Sequence, residues 1–283
     1  MKSRNQRKET ANETLLILSE GRYTSRYGKQ VNVKEQIDVM TVNTQLYTEN
    51  QLQRMAMSIL QRTRPYDGTA FAVVNETTLN GASRLAKSGK WQRVGVLNFA
   101  SAKNPGGGFL GGSLAQEESL AVASALYQSL VQCRGNYYDY HRSKNLLYSD
   151  RMIYTPDCPV FRDDEGQLLD EPYYVDFVTS AAPNIGAMHE DSSLRDRVLP
   201  TFQERSEKVL ALFAEHGCDA VVLGAWGCGV FRNDPKTVAD VFADHLKPGG
   251  NWHGQFRQVL FSVLDYTRSQ ENIKAFETAF HRM

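Results

Sequence analysis

The chain has 283 residues, enough to bury one large hydrophobic core or two small ones. Its 32 lysines and arginines balance 32 aspartates and glutamates, so the formal net charge is zero. This balance excludes a protein that grips a polyanion through a broad basic surface. Any phosphate binding must therefore depend on local geometry, with backbone amides favoured over lysines.

The cysteine pattern indicates whether the protein holds a metal, and the apolar runs indicate whether it enters a membrane. Four scattered cysteines form no CxxC pair and have no histidines at zinc-ligand spacing, so we expect reduced thiols and no metal or other cofactor. No apolar run approaches the roughly 20 residues that span a bilayer, and the basic, polar N-terminus lacks the apolar stretch of a secretory signal. We expect a cytoplasmic protein with no membrane partner.

The sequence pattern of the first 68 residues predicts mainly helix. Apolar residues in 5–22 form a stripe, and 49–62 predicts a second helix before Pro65 and the turn at 66–68. We interpret residues 1–68 as a helical extension packed on the core rather than as an independent domain.

Residues 69–283 alternate between strand and helix patterns, which predicts one α/β unit with a parallel or mixed sheet. The predicted strands, rich in Val, Ile, Phe and Tyr, lie at 69–74, 93–99, 152–155, 174–180, 220–223 and 259–264. The predicted helices lie at 77–87, 115–131, 193–216, 236–246 and 270–281. Ligands of such sheets bind beyond the carboxyl ends of the strands, where two loops are unusual.

The first unusual loop follows the strand at 93–99 and has five glycines in the seven positions 106–112. Glycines lose much backbone entropy on ordering, but they allow positive φ angles and a close approach to a ligand. Ser113 and Gln116 have the spacing of a capping box, which predicts that a helix begins here. Glu117 and Glu118 would then lie in its first turn, about 100° apart around the axis, so we expect different roles for them.

The second unusual loop follows the strand at 220–223 and runs from Gly224 to Pro235. Gly227 and Gly229 can turn successive N–H groups toward a concave phosphate site, and Phe231 can stack against a sugar or base. The sequence matches neither a Walker loop nor a GxGxxG motif. Cys228 has no evident partner histidine, so a packed thiol is favoured over a nucleophile.

Together these features resemble the bacterial branch of the macrodomain-type poly(ADP-ribose) glycohydrolases, which carry GGG, a short spacer and QEE. Here the glycines at 106–108 are followed by seven residues and then by the QEE at 116–118. Segments at 74–79, 97–102, 159–162 and 224–235 are also similar to that branch, in the same order. The resemblance implies a macrodomain-like mixed sheet flanked by helices and covers roughly residues 70–265.

The resemblance also implies roles for the residues of both loops. Glu118 matches the catalytic residue, and Glu117 matches the neighbour that positions the scissile ribose. Asn98 and Asn104 are expected to anchor the terminal ribose, and the segment at 180–184 to face the ligand. The remaining substrate-binding residues implied are Gly106, Gly107, Gly108, Gln116, Gly227, Cys228, Gly229, Val230 and Phe231.

The implied reaction hydrolyses ribose–ribose bonds of ADP-ribose polymers and releases ADP-ribose, in reversal of ADP-ribosylation and in the DNA damage response. A tyrosine-bearing clasp of the vertebrate enzymes has no counterpart here, so we expect cleavage mainly from the chain end, by a monomer. Two alternatives stay open: a hydrolase of mono-ADP-ribosylated protein or nucleic acid, and a non-catalytic ADP-ribose-binding macrodomain. A dinucleotide-dependent dehydrogenase is disfavoured because neither glycine loop has the spacing it needs. The protonation state of Glu118 also stays open.

Overall fold

The computed structural model describes residues 3–190 and 192–280 and gives a mixed α/β fold. In chain order the helices and strands are α1 (Arg4–Glu20), β1 (Arg22–Thr24), β2 (Gln30–Asn32), α2 (Lys34–Asn43), β3 (Gln45–Tyr47), α3 (Glu49–Leu60), β4 (Ala70–Val74), α4 (Thr78–Lys87), β5 (Val94–Phe99), α5 (Gln116–Ala123), α6 (Leu126–Gln132), α7 (Tyr140–Arg142), β6 (Met152–Arg162), β7 (Leu168–Ser180), α8 (Val198–Glu215), β8 (Ala220–Leu223), α9 (Pro235–Leu246), β9 (Gln258–Ser262) and α10 (Glu271–Phe280). None of these described helices is long and apolar enough to cross a membrane.

Seven strands form one mixed sheet in the order β3-β6-β7-β5-β8-β9-β4. The five strands from β7 to β4 are mutually parallel, whereas β6 and β3 complete one edge in antiparallel pairings. Because parallel strands end at the same edge, the segments that follow β7, β5, β8, β9 and β4 lie together. The expected mixed sheet flanked by helices is confirmed.

Helices cover both faces of the sheet, so the central strands are buried on both sides. One apolar core packs α3, α8, α9 and α10 against the sheet, and a second packs α1, α2, α4, α5 and α6 against the opposite face. On β5, Val96 belongs to the second core and its neighbour Leu97 to the first. This is the burial expected of a central parallel strand.

Several boundaries differ from those that the sequence predicts. The helix expected over 115–131 is two helices, α5 and α6, because Ser124 has an extended backbone that bridges to Val160 on β6. The strands expected at 152–155 and 174–180 extend to Arg162 and back to Leu168, where they pair with each other. The helix expected over 270–281 is described to Phe280, and His281 lies outside the described residues.

The first 68 residues contain more than the two predicted helices. A third helix, α2, and the short hairpin of β1 and β2 lie between them, and β3 pairs with β6 at the edge of the main sheet. The strands of this segment have only three residues each, too few for a period-two pattern to mark them.

Gly95 on β5 gives a test of how tightly the central strand packs. A Cβ atom here would overlap the buried ring of Phe213 on α8. We expect Gly95→Ala to lower the free energy of unfolding by about 1–3 kcal/mol, because overpacking a dense core forces side chains out of their rotamers. Urea unfolding measures the effect. Gly135→Ala is the matched control, since Gly135 is exposed and a methyl group added there would meet no other atom, and an equal loss in both variants would contradict the prediction.

Candidate active site

The first glycine loop turns back over the start of α5. Gly107 has a φ of 62°, and a Cβ atom there would overlap the Glu118 carboxyl group and crowd that of Glu117. A side chain at position 107 is therefore excluded both by backbone conformation and by the two carboxyl groups beneath it. The glycine run and the QEE sequence are thus parts of one packed unit.

Helix α5 begins without the capping box expected from Ser113 and Gln116. Its N-cap is Ala115, and no side chain caps the helix. Ser113 instead donates its backbone N–H to the Gly108 carbonyl at 3.1 Å, within the turn of the loop. The capping prediction was wrong because the glycine loop continues two residues further, but Glu117 and Glu118 do lie in the first helical turn.

Gln116 fastens the start of α5 to the end of β5. Its Oε1 accepts from the Phe99 backbone N–H at 2.9 Å, and its Nε2 donates to the Leu97 carbonyl at 2.8 Å. Nε2 also lies 3.3 Å from the Thr78 hydroxyl. The side chain thus completes the backbone pairing at the strand end, a contact that the sequence did not predict.

Glu117 is almost fully buried. Its Oε2 accepts from the Ser101 backbone N–H at 2.6 Å, and the Asn98 amide nitrogen lies 3.4 Å from its Oε1. Burial raises the pKa of Glu117 to about 8, and the nearby charge of Glu118 acts in the same direction. The hydrogen bond from Ser101 opposes this rise without cancelling it. Near neutral pH, Glu117 is therefore mostly the uncharged acid.

Glu118 has a different environment, as expected for consecutive helical residues. Its Oε1 accepts from the Gly108 backbone N–H at 2.8 Å, and the side chain is half-buried. Glu117 is thus held from the β5 side and Glu118 from the glycine loop. The partly open position leaves Glu118 accessible to a ligand.

The two asparagines expected at the terminal ribose lie at different depths. Asn98 is fully buried, donates to the Thr179 hydroxyl at 3.1 Å, and has no partner for its Oδ1 among the described residues. Asn104 is on the exposed loop, where Arg142 lies 3.3 Å from its Oδ1 and donates to the Lys103 carbonyl at 2.6 Å. Asn98 is adjacent to Glu117, whereas Asn104 shapes the rim of the loop.

The second glycine loop turns through a left-handed residue and has backbone N–H groups with no acceptor among the described residues. Gly227 has a φ of 76°, and a Cβ atom there would overlap Asn233 and Ala182. The Asn233 amide spans the loop, donating to the Gly227 carbonyl at 3.0 Å and to the Pro183 carbonyl at 2.8 Å. No described residue accepts from the backbone N–H of Gly227, Gly229, Val230 or Phe231.

The side chains of the second loop differ in their exposure to solvent. Val230 is exposed, whereas Phe231 is half-buried with its ring centroid 6.1 Å from that of Tyr148. Burial raises the pKa of the Cys228 thiol to about 12, and Asp234 adds to the rise. Cys228 is thus a poor nucleophile, in agreement with the packed thiol expected from the sequence.

Both glycine loops are tied to the end of β7. The Ser180 carbonyl accepts from the Ala100 backbone N–H at 3.2 Å and from the Trp226 indole N–H at 3.1 Å. One carbonyl therefore connects the two loops. The segment 180–184 also contacts the second loop through Ala182 and Pro183, and its role as a ligand-facing loop stays a prediction.

The sequence analysis did not predict a role for Tyr148 or Arg205. Tyr148 has a φ of 61°, uncommon outside glycine, and its hydroxyl accepts from the Asn184 amide at 3.3 Å. Buried Arg205 on α8 donates to the Ala181 carbonyl at 2.8 Å and to Asp150 at 2.7 Å, which joins the segment after β7 to the segment before β6. No local pattern marks either residue, because each acts through partners that are distant in the chain.

The raised pKa of Glu117 predicts a pH dependence of stability. Between about pH 4.5 and 8 the folded protein keeps a proton that the unfolded chain has lost, so the free energy of unfolding falls as pH rises. The contribution is full below pH 4.5, is lost as the pH rises to about 8 and is on the order of 5 kcal/mol. Glu117→Gln, which is always neutral, should lack this slope in urea unfolding. Glu35→Gln, at an exposed position on α2, is the control, and parallel profiles for wild type and Glu117→Gln would refute the prediction.

Comparison with known proteins identifies the family. Residues 11–163 match the family described as "Microbial-type PARG, catalytic domain", a range that includes the first glycine loop and the QEE sequence but not the second loop. No curated protein sequence matches the chain.

Solved structures extend the likeness to almost the whole chain. Poly(ADP-ribose) glycohydrolase (PARG) from Thermomonospora curvata is 42% identical, with a TM-score of 0.93 over 98% of this chain and 100% of that one. The same enzyme bound to the inhibitor ADP-HPD gives 0.90 at the same identity and coverage.

A second bacterium supplies a further relative. PARG from Deinococcus radiodurans in complex with ADP-ribose is 42% identical, with a TM-score of 0.80 over 87% of this chain and 96% of that one. The resemblance carried by the GGG and QEE sequences is confirmed. On the family match and the identity to these enzymes, this chain belongs to the microbial-type poly(ADP-ribose) glycohydrolases.

Proposed function

We propose that the protein hydrolyses the ribose–ribose bonds of poly(ADP-ribose), with Glu118 as the catalytic residue. The observation that carries this assignment is the half-buried Glu118 carboxyl group, which the Gly108 N–H of the first glycine loop holds at 2.8 Å. The T. curvata enzyme binds an inhibitor and the D. radiodurans enzyme binds ADP-ribose, which supports the same ligand here.

The second loop binds the diphosphate and the adjoining ribose. The N–H groups of Gly227, Gly229, Val230 and Phe231 are available to phosphate oxygens, and such backbone nests bind anions well. The chain has no net charge, so an uncharged cradle suits both the sequence and the ligand. The Phe231 ring packs against the ribose, supported from behind by Tyr148.

Hydrolysis proceeds through an oxocarbenium-like state at the anomeric carbon. Glu118, as the acid, gives a proton to the leaving 2′-oxygen while the bond from that oxygen to the anomeric carbon breaks. A water molecule then forms a bond to this carbon and gives its proton to the Glu118 carboxylate, which restores the acid. No metal and no other cofactor takes part in this scheme.

Glu117 positions the scissile ribose from beneath. As the uncharged acid it donates a hydrogen bond to an oxygen atom, which a carboxylate cannot do. Its neutrality also keeps a second charge away from the carboxylate that Glu118 becomes when it gives up its proton under Gly107. Asn98 supports Glu117 and anchors the terminal ribose, with Asn104 at the rim. Gln116 acts with them by fixing the start of α5.

The finer features of the function belong to the same proposal. The protein acts as a macrodomain-type enzyme, in the cytoplasm and as a monomer, and it releases ADP-ribose mainly from the chain end. Its cellular role is the reversal of ADP-ribosylation after DNA damage. Residues 1–68 form an extension that packs on a core of residues 69–283.

One experiment separates this function from its alternatives. Purified protein is incubated in parallel with labelled poly(ADP-ribose), ADP-ribosylated DNA and mono-ADP-ribosylated protein. Release of ADP-ribose from the polymer alone supports the proposal, and short oligomers among early products would contradict chain-end cleavage. Binding of all three substrates without any product would instead identify a reader.

Glu118→Gln tests the catalytic assignment. The Gln oxygen still accepts from the Gly108 N–H, so the fold and ADP-ribose binding should persist. The kcat for polymer hydrolysis should fall by at least about 10²-fold, because the proton donor and acceptor is lost. Product release is followed by chromatography and binding by calorimetry, with Glu35→Gln as the charge-matched control. Wild-type turnover by Glu118→Gln would exclude the proposed role.

Gly227→Ala tests the phosphate loop separately from the chemistry. A methyl group would strain the backbone at a φ of 76° and overlap Asn233 and Ala182, which displaces the nest. We expect the Kd for ADP-ribose to rise about tenfold or more, in contrast to Glu118→Gln. Calorimetry measures the Kd, Gly135→Ala provides the control, and unchanged affinity would show that the diphosphate binds elsewhere.

A further inference from the structure

Helix α1 contacts the far end of the first glycine loop. Arg4 Nε donates to the Gly111 carbonyl at 2.9 Å, and Arg7 Nε donates to the Gly112 carbonyl at 2.7 Å. These carbonyls end the short 3-10 helix Phe109–Gly111, where cationic donors are favoured. The loop is separated from α1 by more than 100 residues in the chain, so the contact is specific to the fold.

The loop and helix also touch through their backbones. Gly112 has a φ of 73°, and a Cβ atom there would overlap the carbonyl oxygen of Arg4. Beneath this contact, Ala11 of α1 forms a small apolar cluster with Phe109 of the loop and Ala121 of α5. The arginine contacts are therefore one side of a closely packed junction.

Further contacts join α1 to α5, the helix that carries Glu118. The Thr14 hydroxyl donates to the Val122 carbonyl at 2.7 Å. Glu13 forms an ion pair with buried Arg162 at 2.9 Å, and Arg162 Nε lies 3.4 Å from the same Val122 carbonyl. Helix α1 thus holds both the loop and the helix between which the Glu118 carboxyl group lies.

A chain of hydrogen bonds connects the arginines to Glu118. The Gly108 carbonyl accepts from the N–H groups of Gly111 at 2.9 Å and Ser113 at 3.1 Å. The N–H of Gly108 in turn donates to Glu118. The Gly112 carbonyl and the Ser113 N–H belong to one peptide group, so fixing this carbonyl restrains Gly108, whose own N–H orients the Glu118 carboxyl group.

We propose that α1 braces the first glycine loop and that Arg4 and Arg7 are positioning residues for Glu118. The proposal deepens the function given above and rests on it. Without the two arginines, Gly108 no longer holds the carboxyl group in place, and displacements of about 1 Å can cost about 10²-fold in rate. The second glycine loop is not part of this junction, so ADP-ribose binding should be spared.

The test compares Arg4→Ala/Arg7→Ala with Arg22→Ala/Arg54→Ala, a double variant that removes the same charge. Arg22 and Arg54 are exposed positions of the same N-terminal segment, on β1 and α3. We expect kcat for polymer hydrolysis to fall about tenfold or more in the first variant and to stay within twofold of wild type in the control. The Kd for ADP-ribose and the Tm should change little in either.

Hydrogen exchange and a conservative variant complete the design. Amides of residues 106–113 should exchange faster in Arg4→Ala/Arg7→Ala, while those of α5 and of the second loop keep wild-type rates. Arg4→Lys/Arg7→Lys, which retains a cationic donor, should recover most of kcat. The proposed role of α1 would be refuted by a wild-type kcat in the alanine variant. It would also be refuted if the loss of kcat were matched by a loss of ADP-ribose binding. An inactive wild type would instead refute the proposed function, and the exchange rates would still test the brace.

Discussion

The site depends on one constraint: β7, β5 and β8 are parallel neighbours that end at the same edge of the sheet. Their common end allows the Ser180 carbonyl to receive donors from both glycine loops, at Ala100 and Trp226. Under the proposed assignment the second loop and Glu118 bind parts of one ligand, so the two loops must keep a limited separation. A shared strand end meets this need without a flexible linker between the two loops.

A second constraint comes from placing two glutamates side by side under a loop. Two adjacent carboxylates repel each other, and burying either one unpaired is costly. The two carboxyl groups have different environments. Glu117 is buried and has a raised pKa, whereas Glu118 is partly open and accepts a hydrogen bond from the Gly108 N–H. The glycine at 107 is what lets the backbone cover both groups. The glycine run and the two carboxyl groups therefore depend on the same packing.

Much of this arrangement could be predicted from the sequence, because it depends on patterns of residues that are close together in the chain. The apolar run of β5, the glycine run and the first-turn position of Glu117 and Glu118 are all local, and each agrees with the structure. The failures concern groups whose partners are far away in the chain. Ser113 has the spacing of a cap but pairs with the loop, and Ser124 interrupts a helical pattern because β6 offers a bridge.

The N-terminal segment shows the same limit most clearly. Its strands are too short to leave a period, and nothing in the sequence around Arg4 and Arg7 points to carbonyls more than 100 residues away. Yet β3 closes one edge of the main sheet and α1 packs on the first glycine loop. A glycine-rich loop has high conformational entropy, and ordering it in the free enzyme requires contacts from outside the loop. Glu118 supplies such a contact at one end, and at the other end α1 adds its contacts to those of the buried Phe109 ring. A helix placed early in the chain supplies these contacts, so an element that is remote in sequence can order a loop near the centre of the sheet.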